Sequence, residues 1–511
     1  MTTRRPILVA LATLSLLGAS SPGWSQGATP MVSAPQGQLQ GAQADGVATF
    51  KGIPFAAPPV GDLRWRAPKA AAKWQGVRPA TAFSQACNQA EDCLFLNVWK
   101  PADAKPGAKL PVMVWIHGGA FIGGSGASVD GTQFAKQGVI LVSVNYRLGR
   151  LGFFAHPALS KEDPKAVVGN YGILDQIEAL RWVQANIGAF GGDAKNVTIF
   201  GESAGAICVN LIMLAPQAKG LFAKAASESG FGRRPMKPVH SDGAASSGEQ
   251  IGFAFAQKNG VNTLDDAAAK ALRALPFSVL NNAPPGVAQP DQPSPMIDGK
   301  LVAGTIYDGF KAGREAMVPY LICVNTHYSS PYRGLILPTG ELAGVTENKA
   351  AMLAVFDPNA TNDADRIIAR LVTDQRISEP DRALARIHSK SQPTFVYHFS
   401  YVPIAGRAAS PGAAHGAEIS YVFNTLTGGR GPAPDAEAIA ISKTMNSYWA
   451  NFAKTGDPAS AGGPKWPKWD ASESLMEFGF GGTPAVRSKF HKDRLDWVEA
   501  NVGKWSPIVG R

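Results

Sequence analysis

Charge is scarce in this chain. Only 17% of its residues are Asp, Glu, Lys or Arg, below the roughly 25% of an average globular protein, while 45% are hydrophobic. Together these exclude a disordered or highly solvated chain. Beyond the first residues there is no uninterrupted apolar run of the roughly 18 that would suggest a membrane helix. No H-E-x-x-H motif or paired cysteine spacing is present, so no metal site is expected. Gly 55 and Pro 38 indicate many turns, and without a Gly-X-Y period they exclude a collagen-like fibre. The excess of 49 basic over 39 acidic residues gives a formal charge of +10. It is scattered, in pairs such as Arg233-Arg234, with no basic run interleaved with aromatics as a nucleic-acid surface requires. No nucleic-acid partner is expected.

What is present begins with a targeting pattern. Met1 to Gln26 has a basic start at Arg4-Arg5, an apolar run from Ile7 to Leu17, and small or polar residues from Gly18. That run is too short for the roughly 20 residues of a membrane-spanning helix and reads as a secretory signal peptide. Residues 1–26 are therefore expected to be removed near Ser25, leaving a charge of +8 and no stable membrane insertion. The mature chain is expected to be exported, periplasmic or secreted. Export permits disulfides. Of the four cysteines, Cys87 and Cys93 are near neighbours and the expected pair, while Cys208 and Cys323 sit in apolar runs and read as buried thiols.

Short Val- and Ile-rich runs recur along the chain: Pro111 to His117, Val139 to Tyr146, Val197 to Phe200, Tyr320 to Val324 and Thr394 to Phe399. Lacking strict alternation, they predict strands covered on both faces. Between them Asp175 to Asn186 carries Ile177, Leu180, Trp182 and Val183 at helical spacing. The alternation predicts an α/β protein with a mostly parallel sheet. Two segments interrupt it, Phe231 to Val318 and Ser329 to Gln392. Both contain amphipathic stretches, Thr263 to Leu275 and Glu347 to Phe356, and read as insertions walling a pocket of one domain, 27–511.

The strongest local signal is Gly201-Glu202-Ser203-Ala204-Gly205, directly after the strand Val197 to Phe200 and before the helical stretch Ala206 to Leu214. So sharp a strand-to-helix turn presents the central hydroxyl at the top of the sheet, and flanking glycines remove side chains that would clash. Ser203 is thus the candidate nucleophile. A serine also needs a base and a place for negative charge. Gly118-Gly119-Ala120-Phe121 follows the strand ending at His117, and the N–H groups of Gly118, Gly119 and Ala204 are the candidate oxyanion hole. His415, in a loop after the last long strand, is the candidate base. His117 reads as structural, and the other six histidines have no supporting context.

These residues resemble the type-B carboxylesterases, an α/β-hydrolase family that includes bacterial para-nitrobenzyl esterases, cholinesterases and bile-salt lipases. The resemblance runs from about Gln38 to Trp469. It includes Phe50-Lys-Gly-Ile-Pro-Phe-Ala56, Glu91-Asp-Cys-Leu-Phe-Leu-Asn97, His117-Gly-Gly-Ala-Phe121, Asn145-Tyr-Arg-Leu-Gly149, Gly169-Asn-Tyr-Gly-Ile-Leu-Asp-Gln176 and Gly201-Glu-Ser-Ala-Gly205. It implies an α/β-hydrolase fold and a serine carboxylesterase that acts on small-molecule esters through an acyl-enzyme on Ser203. No cofactor is needed. The implied site is Ser203, His415 and the oxyanion donors Gly118, Gly119 and Ala204. Nothing in the sequence specifies an oligomeric state.

One position departs from the family. Its triad acid usually follows the strand corresponding to Tyr320 to Val324, where this chain has Tyr328, and Cys323 replaces a glycine. A phenol cannot supply the permanent charge that orients a histidine and stabilises its imidazolium. Glu228, ending the preceding strand Ala223 to Ser229, is the candidate acid, since some α/β hydrolases carry the acid there. Glu202 is the weaker candidate, and Glu418 reads as structural. Two alternatives stay open on this fold: a catalytically impaired, esterase-like binding protein, and an acyltransferase or amidase.

Overall fold

In the computed structural model, which describes residues 29–243, 246–281, 291–327, 349–361, 363–408, 410, 412–426, 433–459 and 463–502, eleven strands form one sheet. In chain order they are β1 (Ala42–Ala44), β2 (Val47–Pro54), β3 (Phe95–Pro101), β4 (Leu110–Ile116), β5 (Ile140–Val144), β6 (Gly192–Glu202), β7 (Lys224–Glu228), β8 (Tyr320–Asn325), β9 (Thr394–Phe399), β10 (Ser474–Phe478) and β11 (Ala485–Ser488). Their spatial order is β11-β10-β9-β8-β7-β6-β4-β5-β3-β2-β1. The central pairings from β5 through β10 are parallel, and the outer ones are antiparallel. This is the α/β-hydrolase architecture. The expected signal peptide and Tyr328 lie outside the described residues.

Both faces of the sheet are covered, which is why its strands read as continuous apolar runs. In β4, Val112, Val114 and Ile116 pack into one core while Met113 and Trp115 pack into another, because successive side chains leave opposite faces. In β8, Tyr320, Ile322 and Val324 join the first core and Leu321 and Cys323 the second. The helices α1 (Tyr171–Asn186) and α2 (Ala204–Leu214) contribute Ile177, Leu180 and Leu211 to the first. The long α4 (Ala436–Thr455), which follows α3 (Glu379–His388), contributes Met445, Trp449 and Phe452 to the second. The first interrupting segment lies in sequence between the neighbours β7 and β8, and the second between the neighbours β8 and β9. Cys87 and Cys93 form a disulfide with Cα atoms 5.1 Å apart, and Cys208 and Cys323 are buried free thiols.

Candidate active site

Ser203 sits between the carboxyl end of β6 and the first residue of α2, with φ 57° and ψ −120°. That conformation is costly for any residue with a Cβ and persists only where its surroundings hold it. The backbone supplies the hold: Ser203 N–H donates to Glu228 O at 2.9 Å, and Ile207 N–H to Ser203 O at 3.0 Å. Gly205 leaves room for the turn to press onto β4, because a Cβ there would lie 2.0 Å from Ile116 O.

The end of β4 brings Gly118 against the serine. A Cβ on Gly118 would stand 3.2 Å from Ser203 Cβ and 2.7 Å from Glu202 Oε2, so only glycine fits. The turn then runs through left-handed backbone at Gly119, Ala120 and Phe121. It is pinned by Gly149 N–H donating to Phe121 O at 2.7 Å. Ala204 begins α2, where N–H groups have no partner within the helix and the dipole favours negative charge. His117 lies beneath the turn, stacked on Tyr146 with ring centroids 4.4 Å apart. Its Nδ1 is 2.8 Å from Gly118 O, and Tyr146 Oη–H donates to His117 O at 2.9 Å. Burial pushes its pKa down to about 4, so a neutral ring braces the backbone.

His415 arrives from the loop after β9, and that loop is tied to the end of β8. Asn325 Nδ2 donates to Ala414 O at 2.9 Å and His327 N–H to Ala413 O at 3.0 Å. The imidazole is 14% exposed, lies edge-on to Phe231 at 6.0 Å between centroids, and has Nε2 3.1 Å from Glu202 Oε1. Burial lowers its pKa to about 4, leaving it neutral and able to accept a proton at pH 7.

Behind the serine and histidine lie three buried carboxyls, Glu202, Glu228 and Glu418. Strand register sets Glu228 opposite Glu202 on one side and Cys323 on the other. Glu228 Oε1 accepts from Trp449 Nε1 at 2.9 Å, while Oε2 has no hydrogen-bond partner. Asn325 Nδ2 donates to Glu418. Burial raises all three pKa values, Glu418 to about 7 and the others well above the ordinary carboxyl range, and repulsion by Glu418 adds to the rise at the other two. Three carboxyls this close do not all ionise near neutrality. The one facing His415 at 3.1 Å is Glu202, whereas Glu228 is engaged with Trp449. Nothing in the sequence assigns Trp449 or Phe231 a contact at this site, and their parts follow from packing.

The family model described as "Carboxylesterase family" matches residues 28–351 and 341–497. The fumonisin B1 esterase of Sphingopyxis macrogoltabida is 36% identical, the match covering 87% of this chain and 85% of that protein. Carboxylesterase 1E of Mus musculus is 31% identical over 98% of both chains. Among solved structures, a PNB esterase matches with a TM-score of 0.76 at 30% identity, covering 91% of this chain and 99% of its own. A Geobacillus stearothermophilus carboxylesterase does so at 0.77 and 31%, with the same coverage.

Proposed function

Because the chain belongs to the carboxylesterase family, and so is a serine hydrolase of carboxylic esters, we propose that Ser203 is its nucleophile and His415 its general base. Ser203 Oγ attacks the ester carbonyl while His415 takes the hydroxyl proton. The oxyanion that forms is held by the N–H groups of Gly118, Gly119 and Ala204. His415 then protonates the departing alkoxide, and a water activated by the same imidazole hydrolyses the acyl-enzyme. The observation that supports this reading is that the strained Ser203 turn lies so close to Gly118 that a Cβ there would stand 3.2 Å from Ser203 Cβ. Backbone N–H groups of that turn beside Ser203 are what a developing oxyanion needs. Ser203→Ala tests the reading: loss of both p-nitrophenyl acetate hydrolysis and fluorophosphonate labelling is expected, and retention of most turnover overturns it.

Two assignments of the acid compete. Glu228 is the sequence expectation, and Glu202 is the alternative, its Oε1 lying 3.1 Å from His415 Nε2 without hydrogen-bond geometry. In either case a carboxylate charge in this buried group stabilises the imidazolium that the first proton transfer creates, as Tyr328 cannot. The pocket belongs to a single catalytic domain, 27–511, walled by the two interrupting segments. Export is supported by the pattern of residues 1–26 and by the Cys87–Cys93 disulfide. Among the described residues no helix is long and apolar enough to cross a membrane.

A further inference from the structure

The strand β7 that ends at Glu228 runs on into a loop, 229–232, with left-handed backbone at two residues that carry side chains, Ser229 at φ 60° and Phe231 at φ 52°. Such backbone is costly and persists only where its surroundings hold it. Asp381, on α3 in the second interrupting segment, provides the hold. Its buried carboxyl accepts from Gly230 N–H through Oδ2 at 3.1 Å and from Gly232 N–H through Oδ1 at 3.3 Å. Beside it Glu379 binds Arg233 at 2.9 Å, and Arg234 N–H donates to Phe231 O at 2.9 Å, closing the turn. The loop lies so near the helix that a Cβ on Gly232 would stand 2.8 Å from Pro380 O.

The helix is shaped for this grip. α3 follows a π-helical turn, Asp374–Ser378, in which Glu379 N–H reaches Asp374 O. Pro380 has no N–H to give, and its ring crowds the preceding turn, which favours that widening. Burial raises the pKa of Asp381 to about 8 against the pull of its two N–H donors. Both carboxyl oxygens keep acceptor capacity whether or not the group is ionised, whereas an amide nitrogen has none. What the loop presents to the site is Phe231, whose buried ring meets the His415 imidazole edge-on with centroids 6.0 Å apart.

We propose that Asp381 is a positioning residue for the base: by fixing the loop 229–232 it seats Phe231 against His415, which holds the imidazole in place and keeps water from it. The proposal rests on His415 being the general base of the esterase. Among the described residues, the titratable group beside the imidazole is Glu202, at 3.1 Å, which is itself repelled by Glu228 and Glu418. Those in electrostatic reach of Asp381 are Glu379 of its own helix and Tyr320 and Cys323 of β8. The variants that test the proposal leave all of these in place.

Asp381→Asn, Phe231→Ala and Phe231→Leu are compared with the wild type in p-nitrophenyl acetate turnover across pH. Asp381→Asn and Phe231→Ala are expected to lower kcat about tenfold with KM little changed. They should also move the acid limb of kcat/KM up from near 4 towards 6.5, because water returning to the ring removes the desolvation that holds its pKa down. Phe231→Leu, which keeps apolar bulk on the imidazole, should hold the limb low. A limb unmoved in Asp381→Asn and Phe231→Ala overturns the proposal and leaves the esterase reading standing, even if both variants are less stable. A wild-type limb already at 6.5 overturns it as well. Should Asp381→Asn not fold, the two Phe231 variants decide, equal limbs in alanine and leucine counting against the proposal. A wild type that neither turns over the ester nor takes a fluorophosphonate label sinks the reading of the site itself.

Discussion

Glu202 Oε1 stands 3.1 Å from Nε2 of His415, bringing the Ser203 turn at the end of β6 against the loop that follows β9. Given the tyrosine that the sequence reading places at the acid's usual position, this contact offers the histidine a carboxyl group from another strand. Its kinetic weight is measurable. Glu202→Gln is expected to lower kcat by about 100-fold or more, since an amide cannot ionise to pair with the imidazolium as it forms. Glu228→Gln and Tyr328→Phe are the comparisons. A strong loss with Glu228→Gln alone restores the expectation from sequence, and a strong loss with Tyr328→Phe alone removes both glutamates from the role.

Strain at Ser203 makes a second prediction. Its φ of 57° and ψ of −120° suit glycine better than serine, so Ser203→Gly should abolish turnover and raise stability by about 1 kcal/mol. Thermal or denaturant unfolding of the two proteins checks it. A destabilised glycine variant would show that the turn is not strained.

The proposed oxyanion donor Gly118 makes a third. Gly118→Ala would push a methyl to within 2.7 Å of Glu202 Oε2 and 3.2 Å of Ser203 Cβ, displacing a donor from its place. Roughly 100- to 1,000-fold should be lost from kcat, the usual cost of one such donor. A variant that raised KM with kcat intact would place Gly118 in substrate binding instead.

As the proposed base, the imidazole of His415, which burial lowers to a pKa of about 4, is expected to set the acid limb of the rate profile. Neutral imidazole is the active form, so kcat/KM should hold as pH falls through 6.5 and decline only near 4. The same shift bears on stability. The folded pKa lies below the ordinary value of 6.5, so the unfolded chain binds the proton more readily. The stability this group contributes is complete above 6.5 and is lost as pH falls towards 4. A rate profile breaking at 6.5 would mean that the ring is solvated in the working enzyme.

The disulfide supports the segment beside the site, where Cys93 O accepts from Asn145 Nδ2 at 3.1 Å. Cys87→Ser with Cys93→Ser should cost roughly 2 kcal/mol, as expected for a short closed loop. Urea unfolding with and without reductant measures it, and an unchanged midpoint would assign the bridge no stabilising part.

Much of this was legible one segment at a time. Thr394–Phe399 reads as a strand in the sequence and is one. The helix expected from Asp175 begins earlier, at Tyr171. Asn170, which precedes it, is fixed by Met296 O at 2.7 Å and Met296 N–H at 2.9 Å, a contact from a distant segment that no local pattern carries. Likewise Asp381, in the second interrupting segment, accepts from the N–H groups of Gly230 and Gly232 at 3.1 and 3.3 Å. That ties the loop carrying Phe231 to α3.

The sequence by itself determined the fold class, the sharp strand-to-helix turn at Ser203 and its glycines, and the disulfide pair, because strand, turn and helix propensities act over a few neighbouring residues. Tertiary structure alone decided which of the described carboxyls Glu202, Glu228 and Glu418 lies beside His415. That choice depends on the register that sets Glu202, Glu228 and Cys323 side by side on three strands, and on Trp449 taking up Glu228 from a helix more than two hundred residues away. Burial, which sets the protonation of all these groups, is a property of the assembled core and not of any one segment.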